Sequence, residues 1–378
     1  VNVLLLSAYA ARSHRHWQFA LQDMFPTWKW QPLTLPPRYF AWRIRGNPLY
    51  WAMEHRPVLE GSHDLLLATS MVDLATLRGL VPALTALPSL LYFHENQFAY
   101  PSGRARHSPV EAQMVSLYSA LAADRLCFNS SYNQETFLAG CDALLGRLPD
   151  RVPGGVVAAL RAKAVVLPVP FDNGQCVTPA SPTIWIGPES YPRRPLRLLW
   201  VGRFEHDKGP ERLEPLLGLL EHMNLDFELA LIGQQFRQSP EVFSRMRDQH
   251  RDRLVHFGNL PSSGDLHAVM ERADLVLSTS LHEFQGLAVL EAVARGCVPV
   301  VPDRLAYTEI YPARFRYRSH LQDPLREAAA AAALVRTLAV ELGAGAISAP
   351  GVGPWGTTAL RPRYRAVIEE LAGHHCRD

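Results

Sequence analysis

Short apolar runs recur along the chain, each followed by a polar turn and then by apolar residues at helical spacing. The first run, Val1-Asn2-Val3-Leu4-Leu5-Leu6-Ser7, predicts a strand, and residues 14–24 predict a helix with Trp17, Ala20, Leu21 and Met24 on one face. Further strands are expected at 64–70, 89–97, 125–128 and 164–168, with helices at 110–123 and after the capping run Asn129-Ser130-Ser131-Tyr132-Asn133. Between 24 and 53, Trp28 and Trp30 suggest a strand, and the residues after Trp30 read as a proline-rich loop. After residue 171 the pattern lapses into Pro, Gly and Ser without periodicity, the composition of a linker. A second alternation then begins, with strands at 196–201, 227–232, 254–257, 274–278 and 298–302. Helices are expected between them at 210–222, 241–250 and 265–272, and again from Leu287, where Leu287, Leu290, Val293 and Ala294 share a stripe.

Strands alternating with helices build parallel sheets covered on both faces. The expectation is therefore an α/β chain of two Rossmann-like, doubly wound domains facing a cleft. The boundaries fall at 1–172 for the first domain, 173–195 for the linker and 196–360 for the second. A closing segment, 361–378, holds one helix that is expected to cross back onto the first domain.

Length and charge add little to that picture and contradict none of it. A chain of 378 residues suffices for two domains. A net charge of +2 makes no global case for nucleic acid, so any such case must be local. Five scattered cysteines without a C-x-x-C argue for a reducing compartment and against a disulfide or zinc framework. Residues 1–7 read as a strand rather than a signal peptide, and no apolar run approaches the ~18 residues of a membrane span, so a cytoplasmic protein is expected.

The chemistry concentrates at strand ends. Leu281-His282-Glu283-Phe284-Gln285-Gly286-Leu287 joins an apolar strand to a helix, with Glu283 ahead of the helix and Glu291 inside it. The first free N–H groups of that helix, near Gly286 and Leu287, can take phosphate oxygens, and the helix dipole favours their charge. Glu291 then sits roughly 7 Å further along the axis, about the distance from a pyrophosphate to its ribose. The stretch Gly202-Arg203-Phe204-Glu205-His206-Asp207-Lys208-Gly209 sends two cations off the first strand of the same domain, a diphosphate clamp unless Glu205 or Asp207 pairs with one of them. Together these features suit a sugar nucleotide; capping and solvated carboxylates are the plainer alternative.

In the first domain, Tyr92-Phe93-His94-Glu95-Asn96-Gln97 ends a strand in a polar cluster. Residues 24–53 hold no acid between Met24 and Met53, while Lys29, Arg38, Arg43 and Arg45 interleave with Trp28, Trp30, Tyr39, Phe40, Trp42, Tyr50 and Trp51. Cations among aromatics can hold phosphates and stack unpaired bases, and they can equally pack into a core. A second acid-free stretch carries Tyr100, Arg104, Arg106 and His107.

Arg203 with Lys208, and Glu283 with Glu291 spaced E-x7-E around Phe284, Gly286 and Leu287, resemble the retaining glycosyltransferases of family 4 over residues 196–301. The first-domain segments Ser13-His14, Phe40-Ala41-Trp42-Arg43-Ile44-Arg45, Tyr92 to Pro101 and Phe128 to Asn133 are similar to the tRNA-queuosine mannosyltransferase family, with Ala11-Arg12 where that family usually carries paired glycines. The resemblance implies the GT-B fold and a hexosyltransferase that moves mannose from GDP-mannose to queuosine at the tRNA wobble position, with retention and without a metal or other cofactor. The absence of an Asp-x-Asp motif agrees with the last point. It implies a donor site of Ser13, His14, Gly202, Arg203, Lys208, Phe284, Gln285, Gly286, Leu287 and Glu291, with His94, Glu283, Arg203 and Lys208 acting on the reacting groups. His94 would hold hydroxyls of the transferred sugar. The acceptor, the anticodon arm of tRNA, would meet Arg38, Trp42, Arg43, Arg45, Glu95, Asn96, Arg104, Arg106, Asn129 and Asn133. Two alternatives stay open: a family 4 enzyme with another nucleotide sugar or a lipid or polysaccharide acceptor, and a non-catalytic RNA-binding protein on the same fold. Oligomeric state, GDP against UDP and mannose against another hexose have no readable code.

Overall fold

Strand pairing divides the chain into two parallel sheets of six strands each among the described residues. The computed structural model describes residues 1–99, 109–171, 184–185, 191–192, 194–235 and 239–374. One compact unit comprises Val1–Pro170 and Pro354–Asp378, the other Phe171–Gly353.

Unit 1 is built on β1 (Asn2–Ser7), β2 (Lys29–Thr34), β3 (Leu65–Thr69), β4 (Ser89–Phe93), β5 (Arg125–Phe128) and β6 (Ala164–Val166), in the order β2-β1-β3-β4-β5-β6. The central strands β3 and β4 are buried at every residue, as a sheet covered on both faces requires. Pro32 is tolerated because β2 is an edge strand, paired only with β1. The helix Thr357–His374 belongs to this unit. Its Tyr364 hydroxyl accepts from Trp17 Nε1 at 3.0 Å and donates to the Pro168 carbonyl at 3.0 Å, while Arg363 reaches the Val166 carbonyl at 2.8 Å.

The segment expected to be a proline-rich loop is instead a helix, Phe40–Glu54, with Pro48 inside it. Pro48 has no N–H for the Ile44 carbonyl four residues back. The Asn47 amide supplies a donor there, reaching the Ile44 and Arg43 carbonyls at 3.3 and 2.7 Å. Ile44, Pro48, Trp51 and Ala52 form its buried stripe, but Trp42, Leu49, Tyr50 and Met53 are exposed. With apolar residues on both faces, the helix leaves no amphipathic period to read.

Unit 2 is built on β7 (Leu196–Val201), β8 (Phe227–Ile232), β9 (Leu254–Gly258), β10 (Leu275–Leu277), β11 (Val298–Pro302) and β12 (Arg316–Tyr317), in the order β12-β11-β10-β7-β8-β9. Helix Pro324–Gly343, of which only the alanine-rich stretch 328–333 stands out in sequence, packs along helix Pro210–His222. Each unit is a six-stranded parallel sheet flanked by helices. Among the described residues no helix is long and apolar enough to cross a membrane.

Candidate active site

In unit 2 the strand order reverses at β7, which has β8 on one side and β10 on the other. The carboxyl ends of strands at such a reversal are where an open α/β sheet takes its ligand. Two loops leave there, residues 202–209 after β7 and 278–286 after β10, and their backbones are bonded together. The Asp207 carbonyl accepts from the Leu281 and His282 N–H groups at 2.9 and 3.2 Å, and Thr279 Oγ1 donates to the Lys208 carbonyl at 2.8 Å. Gly209, at φ +64°, closes the first loop, and a side chain there would strike the Thr279 carbonyl. Gly286, at φ +74°, caps helix Leu287–Ala294, and a Cβ would lie 2.7 Å from the Tyr307 ring. Tyr307 is held there by a 2.7 Å hydrogen bond between its hydroxyl and Ser278 Oγ.

Lys208 and Glu283 meet across these loops. Lys208 Nζ donates to Glu283 Oε2 at 3.0 Å and to the His282 carbonyl at 3.2 Å, with Asp207 Oδ2 at 3.4 Å. Burial pushes the ammonium down, but Glu283 and Asp207 outweigh it and raise its pKa above the ordinary value. Burial likewise pushes the Glu283 carboxyl up, and Lys208, with the Gly286 N–H, holds it below the usual carboxylate range instead. Both groups are therefore charged at neutral pH. His282, buried and beside Lys208, is pushed down to about 4 and stays neutral.

Arg203 pairs with Glu205 at 2.8 Å and Asp207 at 3.4 Å, the pairing that the sequence left as an alternative, yet its side chain remains 46% exposed. Gly202 is half-buried beside it. Phe284 and Gln285 are buried, Leu287 and Glu291 half-buried on helix Leu287–Ala294. Unit 2 thus brings Gly202, Arg203, Lys208, Glu283, Phe284, Gln285, Gly286, Leu287 and Glu291 to one edge of one sheet or onto the helix leaving it.

In unit 1 the order reverses at β1, between β2 and β3. His94, one residue beyond β4, stacks on His14 with ring centroids 4.1 Å apart, and Trp17 meets its edge at 5.3 Å. Ser7 ends β1, Thr69 ends β3, and the alternation of side chains puts both on the same sheet face as Tyr92 and His94. Ser7 Oγ, Thr69 Oγ1, His14 Nδ1 and both ring nitrogens of His94 are buried without a hydrogen bond. Each unmet group costs about 1–3 kcal/mol, and these gather at a strand-order reversal. Burial drives His14 down to about 3 and His94 well below the ordinary imidazole value, so both rings are neutral. Ser13, beside His14, is exposed in the first turn of helix Arg12–Met24.

Three of the expected acceptor contacts are structural instead. Asn96 Nδ2 donates to Asn133 Oδ1 at 2.8 Å and its Oδ1 accepts from the Phe98 and Ala99 N–H groups at 3.0 Å. Asn133 Nδ2 donates to Asn129 Oδ1 at 2.8 Å and to the Phe93 carbonyl at 2.9 Å, and Asn129 Nδ2 donates to the His94 carbonyl at 2.9 Å. All three side chains are buried. They fasten the end of β4 to the turn after β5 and so fix the backbone of His94. Glu95 is half-buried at the same strand end.

Arg38 and Trp42 are exposed at the start of helix Phe40–Glu54, with the Arg38 guanidinium 5.6 Å from the centre of the Tyr39 ring. Arg43 is half-buried there and its Nε makes no hydrogen bond. Arg45 is 48% exposed and pairs with buried Asp73 at 2.9 Å and with Glu111 at 3.3 Å, so two carboxylates compete for it with any phosphate. Arg104 and Arg106 lie outside the described residues. Sequence reasoning missed Ser7, Thr69, Ser278 and Tyr307. Strand-terminal hydroxyls were the available signal for Ser7 and Thr69; Tyr307 had none.

Comparison with known proteins gives a consistent result. Residues 2–171 match the family described as "tRNA-queuosine alpha-mannosyltransferase N-terminal", and residues 186–334 match "Glycosyl transferases group 1". A Drosophila melanogaster tRNA-queuosine alpha-mannosyltransferase is 31% identical over 326 residues, covering 84% of each chain. Among solved structures, Anabaena Alr3699/HepE in complex with UDP superimposes with a TM-score of 0.64 at 14% identity, over 98% of this chain and 100% of that one. The apo lipopolysaccharide outer core galactosyltransferase WaaB gives 0.61 at 11% identity, over 98% and 99%. Both likenesses concern the fold. Matched over most of its length by a relative at this identity, and by that family's own N-terminal region, the chain belongs to the tRNA-queuosine alpha-mannosyltransferase family of GT-B glycosyltransferases.

Proposed function

We propose that this chain transfers mannose from GDP-mannose to a ring hydroxyl of queuosine in the anticodon arm of tRNA, with retention at the anomeric carbon. The observation that carries the reading is the charged pair Lys208–Glu283 beside the N-terminus of helix Leu287–Ala294, at the strand-order reversal of unit 2. The C–O bond between the anomeric carbon and the diphosphate breaks, and negative charge grows on the leaving phosphate. Lys208, Arg203 and the free N–H groups of the helix start stabilise that charge, which is the work a metal does elsewhere. Glu283, held as a carboxylate, accepts hydrogen bonds from sugar hydroxyls and does not serve as an acid. Glu291, one and a half turns along the helix, accepts from the ribose diol. The acceptor hydroxyl forms the new C–O bond on the face the diphosphate leaves, and its proton passes to the leaving phosphate oxygen.

His94 is neutral and has two unmet ring nitrogens, so it suits a sugar or diol hydroxyl, one nitrogen donating and the other accepting. Arg38, Trp42 and Arg43 supply phosphate and stacking contacts for the RNA. Such a reaction on tRNA belongs in the cytoplasm. The test is to incubate the purified chain with queuosine-containing tRNA and either GDP-mannose or UDP-hexoses, then to analyse the tRNA nucleosides by mass. A hexose added to queuosine from GDP-mannose is the expected result. Transfer from a UDP-hexose alone would overturn the donor assignment, and no transfer with any donor would overturn the reaction.

A further inference from the structure

Both arms of the Lys208–Glu283 pair are tied to one buried carboxylate far from either in sequence. Glu327, in the first turn of helix Pro324–Gly343, is 0% exposed. Its Oε1 accepts from Arg212 Nε at 2.8 Å and from Arg304 Nη2 at 2.8 Å. Its Oε2 accepts from Arg304 Nη1 at 2.7 Å and from the His320 N–H at 2.6 Å. Arg304 also grips the Ser280 carbonyl, through Nε at 3.1 Å and Nη2 at 2.8 Å, and reaches Ser319 Oγ at 2.7 Å. Arg212 completes the set by donating to the Leu321 carbonyl at 2.6 Å.

The location of the two arginines matters. Arg212 lies four residues after Lys208, in the first turn of helix Pro210–His222. Ser280 lies three residues before Glu283, in the loop that carries it. One carboxylate therefore sets the position of the segment behind the cation and of the segment behind the anion. A buried ion triad is a weak source of stability, since apolar side chains of similar volume often serve the fold as well. Its forked geometry does impose distances, which apolar packing does not.

We propose that Glu327 is a positioning residue for the donor site: through Arg304 it fixes the loop that leads to Glu283 and the Gly286 helix start, and through Arg212 the helix start behind Lys208, so that the cation and the helix start keep the spacing a diphosphate requires. The proposal rests on the reading of that pair as the nucleoside diphosphate site. The plainer role is to anchor helix Pro324–Gly343 to its neighbour, and the two roles separate experimentally.

Two variants of the full chain are needed. Arg304→Lys keeps a cation beside Glu327, but one ammonium cannot replace a fork shared between the carboxylate and the Ser280 carbonyl. The triple variant Arg212→Met/Glu327→Leu/Arg304→Met removes every charge of the triad at similar volume. For each, thermal midpoint, GDP affinity by calorimetry, and KM for donor and for tRNA are measured separately. Positioning predicts that both variants stay folded, that GDP affinity falls and donor KM rises by about tenfold or more, and that KM for tRNA is unchanged. A folded variant of either kind that binds GDP as the parent does overturns the proposal. Should the triple variant fail to fold, the Arg304→Lys result decides alone. A parent chain that binds neither GDP nor UDP overturns the donor-site reading itself, and this proposal with it.

Discussion

Lys208 and Glu283, 75 positions apart in sequence, form a 3.0 Å ion pair in which each holds the other in its charged form against burial. In Lys208→Met the carboxyl loses the countercharge that outweighs its burial, and its pKa rises. Transfer should fall by on the order of 10²-fold or more if the ammonium stabilises the leaving diphosphate. The acid limb of any residual activity should move to higher pH. An unchanged pH–rate profile in Lys208→Met would remove Glu283 from the reaction.

Glu283→Gln has the opposite effect on the cation. Among the described residues Lys208 then keeps Asp207, at 3.4 Å, as a carboxylate partner and is freer to meet phosphate. Calorimetry should show GDP bound as tightly as by the parent or more so, while turnover drops by at least about tenfold for want of a carboxylate facing the sugar. Weakened GDP binding with normal turnover is the result that contradicts this.

The stacked pair His14–His94 makes the fold acid-sensitive. Both rings titrate below their unfolded value, so between the folded and unfolded pKa the unfolded chain binds more protons. Their contribution to stability is complete above about pH 6.5 and declines as pH falls from there toward the folded values. Each ring adds up to about 1.4 kcal/mol per pH unit to that slope. In thermal melts, His94→Phe should flatten the slope, keep the stacking, and hold or raise the midpoint at neutral pH by removing two unmet polar atoms. Activity should still fall by at least about tenfold. A lower midpoint with full activity would make His94 a packing residue.

The arginines in and just before helix Phe40–Glu54 are of two kinds, and salt separates them. Arg38→Ala and Arg43→Ala should each weaken tRNA binding and lower the salt slope by about 1. Arg45→Ala should leave the slope unchanged and cost stability instead, because Asp73, only 3% exposed, loses its partner. A filter-binding series across salt concentrations, beside a melt of each variant, distinguishes the outcomes.

Much of the fold was legible, and the reasons are local. In unit 2 the strands Leu196–Val201, Phe227–Ile232 and Val298–Pro302 fall at the expected residues, because largely buried parallel strands read as apolar runs, interrupted here by Arg197 and Glu228 alone. Gly286 could be recognised as a turn position from its setting between strand and helix. Helix Phe40–Glu54 could not be, because Pro48 argues against a helix and the compensating bonds of Asn47 are visible only in three dimensions. The roles of the three asparagines were misread for a related reason: a strand-terminal amide looks the same in sequence whether it meets a ligand or another amide. Arg304 and Glu327 gave no sign at all, since neither lies in a recurring pattern and their partners are scattered over more than a hundred positions.

The Asp207 carbonyl, shared by the Leu281 and His282 amides, has a practical corollary for engineering sugar preference. The two loops it joins behave as a single cassette: lengthening or grafting one alone would strip the other of its template, so a donor swap between relatives has to move both halves together.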